Sequence, residues 1–162
     1  MSEVIMQYSS LVNWLQELKR MPEEYWLEPI QEGKWSTGEI IAHIKAWDVF
    51  VWDERFSYFL KKSNIPPKIG DVEKINKNAS YEAKSGITKN AMIDEVNECR
   101  LVLSRKLQEL PNTIWEEKIQ MGDSWIILCE YIKGMVGHDD HHKQQIEKFL
   151  LYKGIELFKQ EV

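Results

Sequence analysis

Three of the four histidines in the sequence have the type and spacing of metal ligands. His138 and His142 are four positions apart, and in a helix this spacing places both rings on one face, about 6 Å apart along the axis. His43 lies in a distant segment. Together the three imidazoles would bind a divalent cation and leave one position open for water or substrate, as in catalytic zinc sites.

The same spacing also fits a plainer interpretation. His43 would then be a core histidine satisfied by one hydrogen bond, and 138–142 would be an exposed polar stretch that includes Asp139 and Asp140. Two histidines at this spacing often occur by chance, and the sequence shows no recognisable hydrogen-bond partner that would mark them as metal ligands. The residues alone leave both interpretations open.

Two polar residues lie one helical turn from these histidines. Glu39 precedes His43 and could orient it, but its position three residues after Ser36 already predicts a capping box. Gln145 follows His142 and is suited to bind substrate or a second-shell water, or to form a hydrogen bond across the bundle.

A closed, structural site would need a fourth protein ligand and would leave no place for substrate. The sequence offers three candidates near the histidines, namely Asp140, Glu39 and His141. Acidic residues in the middle of a helix more often form a solvated face, so an open site remains the leading hypothesis.

Four segments have apolar residues at three- and four-residue steps, which predicts four helices, over 3–20, 36–62, 88–110 and 123–153. The second helix is expected to run for about 25 residues. Residues 63–87 predict a long crossover loop with a helical turn near 72–81, and a strand pair around 116–120 and 125–129 stays open. The fold class is therefore all-α, a four-helix bundle with a long crossover between the second and third helices.

Composition excludes several classes of function. The chain has 162 residues and a formal charge of −5, which predicts one domain over 1–162 and argues against nucleic acid as a partner. The longest apolar run, 125–129, is too short to cross a bilayer. The beginning of the sequence lacks the pattern of a signal peptide, so we expect a cytoplasmic protein with no membrane partner.

The cysteines and tryptophans are expected to be structural. Cys99 and Cys129 form no CxxC pair and lie in apolar helical stretches, which predicts buried thiols with raised pKa values rather than a nucleophile. Trp47, Trp52 and Trp125 are expected in the core or in dimer packing, with the wall of a pocket as the alternative.

Two segments resemble the DinB-like family of four-helix proteins, which includes bacterial metal-dependent thiol S-transferases. The segment WSTGEIIAHI, residues 35–44, is similar to the family's W-S-x-x-E-x-x-x-H-L, and HDDHHKQQI, residues 138–146, is similar to its H-x-x-x-H-x-x-Q-I. The resemblance implies that His43, His138 and His142 are the metal ligands and that Gln145 is the glutamine of the motif, the residue we expect to act in catalysis. It also implies a divalent ion, zinc or nickel, and a homodimer.

The middle of the chain, residues 43–47 and 75–78, also resembles the related ClbS/DfsB branch. The resemblances imply a metal-dependent enzyme that transfers a low-molecular-weight thiol to an electrophile or hydrolyses a small substrate. The alternatives are a non-catalytic, dimeric metal-binding or stress protein and a ClbS-like resistance hydrolase.

Overall fold

The computed structural model describes residues 2–66 and 70–158. In chain order its elements are α1 (Ser2–Leu18), a 3-10 turn (Glu23–Tyr25), α2 (Thr37–Phe50), a π-helical turn (Val51–Arg55), α3 (Phe56–Leu60), α4 (Val72–Ala83), α5 (Lys89–Gln108), α6 (Asn112–Glu116), β1 (Ile119–Met121), β2 (Ser124–Ile126) and α7 (Leu128–Tyr152). Helices α1, α2, α5 and α7 form the bundle, which confirms the predicted fold class. No helix among the described residues is both long and apolar enough to span a bilayer.

The capped helix starts that the sequence predicts at Ser36 and Thr88 are present. The Ser36 hydroxyl accepts from the Glu39 amide, and the Glu39 carboxylate accepts from the Ser36 amide at 3.0 Å, which is the expected capping box. Thr88 caps α5 by accepting from the Ala91 amide. Gly154, with φ of +75°, follows the end of α7. Local chemistry therefore fixes where the long helices begin and end.

The second predicted helix contains a π-helical turn that the sequence does not reveal. The Phe56 amide donates to the Val51 carbonyl, five residues back, and α3 continues from α2 through this turn. One extra residue rotates the following segment by about 100° relative to an uninterrupted helix. Phe56 and Phe59 are thereby buried in the bundle.

The crossover is more ordered than expected. In place of a single turn near 72–81, α4 runs for 12 residues, starting after Asp71, which accepts from the Lys74 amide at 3.0 Å. It packs against α2 through the small buried residues Ala79 and Ala83. Alanines four positions apart form a narrow apolar stripe, which is easily overlooked in a polar segment. Residues 67–69 of the crossover lie outside the described part.

The fourth long helix begins at Leu128, later than predicted. Residues 119–126 form instead the strand pair that the sequence left open, with Ile119 opposite Ile126. Gly122, with φ of +60°, starts its two-residue turn. Trp125 is 66% exposed on this hairpin, so the core, one of its two expected places, is wrong, and dimer packing stays a prediction.

The core consists of two apolar clusters, one toward each end of the bundle. Helices α1 and α7 begin in one cluster and end in the other, whereas α2 and α5 run the opposite way. The bundle is thus up-down-down-up. Because α2 and α5 point in the same direction, a long connection must join them, and this is the crossover that carries α4.

A buried ion network lies where the two clusters meet. Arg100, which is fully buried, donates to both carboxylate oxygens of Asp48 at 2.8 and 3.0 Å and to Asp139 at 2.5 Å. The Tyr8 hydroxyl donates to Asp48 at 2.8 Å. Complete burial raises the pKa of Asp48 to about 6, with Arg100 opposing the shift and Asp139 adding to it. One cation is thus shared by two interior carboxyl groups.

The thiols behave largely as expected. Cys99 and Cys129 are both free and half-buried rather than fully buried. Burial raises the pKa of Cys99 to about 11, so its thiol stays protonated at neutral pH.

Candidate metal centre

The three histidines from the two distant segments meet at one point between α2 and α7. The Nε2 atom of His138 lies 3.0 Å from Nε2 of His43 and 3.2 Å from Nε2 of His142. One ligand atom from each residue lies within 4.8 Å of the others. In a tetrahedral zinc site with bonds of about 2.1 Å, ligand nitrogens are roughly 3.4 Å apart. The arrangement therefore has the dimensions of a metal site.

The positions of the rings follow from the two helices. The capping box fixes the start of α2, and His43 follows one turn after Glu39, where it is buried. His138 and His142 lie one turn apart on the same face of α7, as their spacing predicts. Trp35 packs on the His43 ring, with centroids 4.9 Å apart. The interpretation of 138–142 as a wholly exposed stretch is therefore wrong.

Two amide side chains fix the orientation of two of these rings. Nδ1 of His43 is 2.9 Å from Oδ1 of Asn76 on α4, and Nδ1 of His142 is 2.8 Å from Oε1 of Gln145. An amide oxygen can only accept, so both Nδ1 atoms carry the proton and donate it. In a neutral imidazole this leaves Nε2 with a free lone pair, the form that binds metal.

This arrangement of protons favours a cation at the centre. The Nε2 lone pairs of His43 and His142 both face Nε2 of His138. His138 has only one proton to offer there, so at most one of the two lone pairs can be satisfied by a hydrogen bond. A divalent cation would satisfy all three nitrogens, and the donor set of three neutral imidazoles suits zinc, nickel or copper.

The surroundings keep the imidazoles neutral. Burial, followed by the charges of His142 and His138, lowers the pKa of His43 to about 3. Burial lowers the pKa of His142 to about 4, against the hydrogen bond to Gln145, and burial also lowers the pKa of His138. At neutral pH the three imidazoles are therefore uncharged.

None of the three candidate fourth ligands joins the cluster. Asp140 is exposed and pairs with Lys143 at 2.9 Å. His141 is exposed on the flank of α7, and the group of ligand atoms found within the described residues contains only His43, His138 and His142.

Glu39 is occupied elsewhere. Its Oε2 atom completes the capping box, while Oε1 accepts from Ser80 at 2.5 Å and from Lys84 at 2.6 Å. Burial alone would raise its pKa, but the hydrogen bonds, that from Lys84 foremost, lower it to about 2. The carboxylate thus stabilises α2 and α4 and does not reach the centre.

The centre borders an apolar cavity of about 340 Å³. His138 and Trp47 line it, and the Trp47 ring lies 6.0 Å from that of His43 and 6.3 Å from that of His138. This volume falls in the range of small-molecule sites. For Trp47 the alternative prediction, the wall of a pocket, is correct.

A second cavity, of about 270 Å³, borders another histidine of the cluster, His142. Its lining includes His142 and Gln145 together with Trp35 and Lys34. Gln145 thus bonds to His142 and also borders a space that a small molecule can enter. The histidine cluster therefore borders two cavities, one through His138 and the other through His142.

Two contributions to the site were missed in the sequence. Asn76 belongs to α4, and without this helix it could not be placed near His43. Asp139, expected on a solvated face, is 5% exposed and bound to Arg100, directly beside His138. One feature of the sequence indicates that Asp139 faces inward. It lies three and seven positions before the inward-facing positions 142 and 146 on α7.

The sequence model of the DinB superfamily matches residues 9–146, and the chain therefore belongs to this superfamily. A comparison with curated protein sequences gave no match.

Among solved structures, the chain is similar to YfiT from Bacillus subtilis, described as a probable metal-dependent hydrolase with an unusual four-helix bundle topology. The TM-score is 0.76 at 17% sequence identity, and the match covers 96% of this chain and 88% of that one. At this identity the likeness establishes the fold.

Proposed function

We propose that the protein is a metal-dependent enzyme that acts on a small molecule, with a divalent cation held by His43, His138 and His142. The convergence of three Nε2 atoms, two of them aimed by amide partners, carries this proposal. The description of YfiT as a probable metal-dependent hydrolase supports it. A non-catalytic metal protein is less well supported, because the described residues supply no fourth ligand.

A cation at an open site supplies a Lewis acid, which lowers the pKa of a bound water or thiol and polarises the substrate. The protein's own residues provide the rest. Asn76 and Gln145 hold the ligand rings, and Trp47 forms an apolar wall of the cavity beside the centre. Gln145 also borders the second cavity, from which its amide NH₂ group can donate to a bound reactant.

Hydrolysis and thiol transfer differ in the number of organic reactants. Hydrolysis needs one cavity and water, whereas transfer of a thiol needs space for two molecules at the centre. Two cavities border the cluster, one at His138 and one at His142, and this favours transfer of a low-molecular-weight thiol to an electrophile. The thiol would come from solution, because Cys99 stays protonated and lies outside the linings of both cavities.

The identity of the metal, the oligomeric state and the cellular location remain part of this proposal. Zinc or nickel would occupy the site, and the ion recovered with purified protein would follow availability as well as affinity. The homodimer and the cytoplasmic location are expected from the family resemblance and from the sequence. The mass in solution, measured by light scattering, tests the dimer.

Metal analysis tests the ligand assignment. Wild-type protein should bind one equivalent of Zn²⁺ or Ni²⁺, and His43→Ala, His138→Ala and His142→Ala should each lose it. His141→Ala is the matched control, because it removes a neighbouring histidine outside the cluster. Stoichiometric metal in a folded His43→Ala protein would contradict the assignment.

Turnover separates the candidate reactions. The metal-loaded protein should conjugate a thiol such as cysteine or glutathione to 1-chloro-2,4-dinitrobenzene, lose this activity with a chelator and recover it with metal. Metal-dependent hydrolysis of p-nitrophenyl esters without thiol would favour the hydrolase instead. Metal binding without either activity, over a broad panel of substrates, would favour the non-catalytic alternative.

A further inference from the structure

The apolar cavity beside the histidines contains a guanidinium group at its wall. Arg55 lines this cavity, and its Cζ atom lies 4.9 Å from the centre of the Phe50 ring and 5.8 Å from that of Trp47. Its Nη1 atom donates to the Tyr131 hydroxyl at 2.9 Å. Two aromatic faces and one hydrogen bond thus hold the cation in place.

No carboxylate of the residues that the structure describes neutralises Arg55. Within residues 2–66 and 70–158, no acidic side chain lies within 4.0 Å of its guanidinium nitrogens. The acidic residues around the cavity have other partners. Glu130 pairs with Lys133 at 2.8 Å, and the network's two carboxyl groups bind Arg100. The described part of the chain therefore places a positive charge at this cavity without supplying a counterion.

Buried donors near the same wall also lack acceptors. Nε of Arg55 and Nε1 of Trp47 are both buried, and neither has a hydrogen-bond partner in the part of the chain that the structure describes. The Tyr131 hydroxyl accepts from Arg55, which leaves its own proton free to donate. Buried donors are normally satisfied. The Arg55 guanidinium and the Tyr131 hydroxyl belong to residues that line the cavity, so this wall is suited to a ligand with acceptor oxygens.

The backbone here departs from regular geometry. The π-helical turn spans Val51–Arg55 and ends at the arginine itself. Such turns are energetically unfavourable and frequently occur at functional sites. The turn changes the direction in which α3 continues, and Arg55 is the last residue before this change.

We propose that this cavity is the substrate pocket and that Arg55 binds the anionic group of the substrate, a small organic acid with an apolar body. A carboxylate, phosphate or sulfonate would accept from the guanidinium and from Tyr131. Trp47 contacts both Arg55 and the histidines, so the apolar body would lie along its indole, with the reacting group toward His138. This assignment of a substrate class rests on the proposed function.

Binding to metal-free protein tests the pocket separately from the metal centre. Calorimetry should show that wild-type protein, treated with chelator, binds benzoate at least tenfold more tightly than the isosteric neutral benzamide. Phenyl phosphate in place of benzoate shows which anionic group is preferred. Arg55→Met should abolish the preference for the anion, and Arg55→Lys should retain part of it, because it keeps the charge but not the planar fork.

Arg105→Met is the matched control. Arg105 is exposed and donates to the carbonyl of Leu101 in its own helix, so its loss changes the net charge equally without touching the cavity. This variant should bind benzoate like the wild type. Equal binding of benzoate and benzamide to the wild type, or an equal loss in Arg105→Met and Arg55→Met, would overturn the proposal.

A spectroscopic measurement covers the case in which Arg55→Met does not fold. In wild-type protein the Arg55 Nε–H resonance, identified by its absence in Arg55→Lys, should shift on addition of benzoate but not of benzamide. An unchanged resonance would refute the anion site. Because no metal is present, anion binding and metal binding can fail independently, and each result bears on its own proposal.

Discussion

Asn76 accepts a hydrogen bond from Nδ1 of His43 at 2.9 Å, although the two residues are 33 positions apart and belong to different helices. The partner comes from α4, the helix inserted in the crossover. The up-down-down-up order of the bundle requires this connection, and the connection in turn supplies the residue that orients a ligand. Topology and site chemistry are thus linked at one contact.

Removal of this contact should weaken metal binding without loss of the fold. We expect Asn76→Ala to lower the affinity for Zn²⁺ by about 10–100-fold, the usual effect of losing a partner of a metal-binding histidine. Competition with a chromophoric chelator measures this. Asn78→Ala, an exposed position on the same helix, should bind metal like the wild type. Equal affinities in the two variants would show that Asn76 does not orient His43.

Gln145 should increase the affinity for the metal through its hydrogen bond with His142. Gln145→Ala removes the acceptor of Nδ1 and should weaken Zn²⁺ binding by about tenfold or more. Gln145→Glu keeps an acceptor and should restore most of the affinity, whereas the exposed neighbour in Gln144→Ala should have no effect. If Gln145→Ala instead bound metal normally and lost only turnover, Gln145 would act on substrate alone.

The lowered pKa values of the histidines predict that metal binding releases few protons. At pH 5.5 three imidazoles with an ordinary pKa of 6.5 would be about 90% protonated and would release between two and three protons on binding. With the pKa of His43 near 3 and that of His142 near 4, we expect metal binding to release fewer than about one proton. Calorimetry with Ni²⁺ in buffers of different ionisation enthalpy counts the protons. Release of two or more would contradict the preformed neutral site.

The same shifts determine how acid affects the metal-free protein. Between pH 6.5 and the lowered values, the unfolded chain binds more protons at these histidines than the folded chain does. Their contribution therefore makes the free energy of unfolding decrease as the pH falls through this window.

Arg100 should be one of the least replaceable residues in the core. Arg100→Met leaves the buried carboxyl groups of Asp48 and Asp139 without their shared cation, and we expect a loss of about 3–5 kcal/mol in the free energy of unfolding. Exposed Arg105→Met should change it by less than about 0.5 kcal/mol. Urea denaturation measures both.

A further variant identifies the cause of this loss. If uncompensated negative charge is responsible, the triple variant Arg100→Met, Asp48→Asn, Asp139→Asn should recover part of the free energy of unfolding that Arg100→Met loses. A loss below about 1 kcal/mol in Arg100→Met would show that the ion network contributes little to stability.

The sequence was sufficient to predict the long helices and the histidines that meet. Capping residues such as Ser36 and Thr88 act on their own neighbours, and the spacing of His138 and His142 within a helix fixes their relative placement. A catalytic metal site needs a third ligand, but the residues alone left His43 open between that role and a core histidine, and the family resemblance implied the ligand. These features depend on local chemistry or on a general rule of coordination.

The remaining features depend on contacts between elements distant in sequence. The start of α7 was placed too early because Trp125 and Ile126 pair with β1 rather than continuing a helix. Asp139 looked like a surface residue until Arg100, 39 positions away, was found beside it. The π-helical turn at Arg55 has no signature in the composition or the periodicity of its segment.

Glu39 determines how much of the chain would be needed to transplant the site into another scaffold. One oxygen of this carboxylate closes the cap of α2, and the other accepts from Ser80 on α4 and from Lys84 directly after it, so a single side chain ties together the helices that carry His43 and its partner Asn76. A graft of the three histidines alone would carry over the ligands without what aims them. The portable unit extends from Ser36 to Lys84 and is joined by the segment that carries His138 and His142.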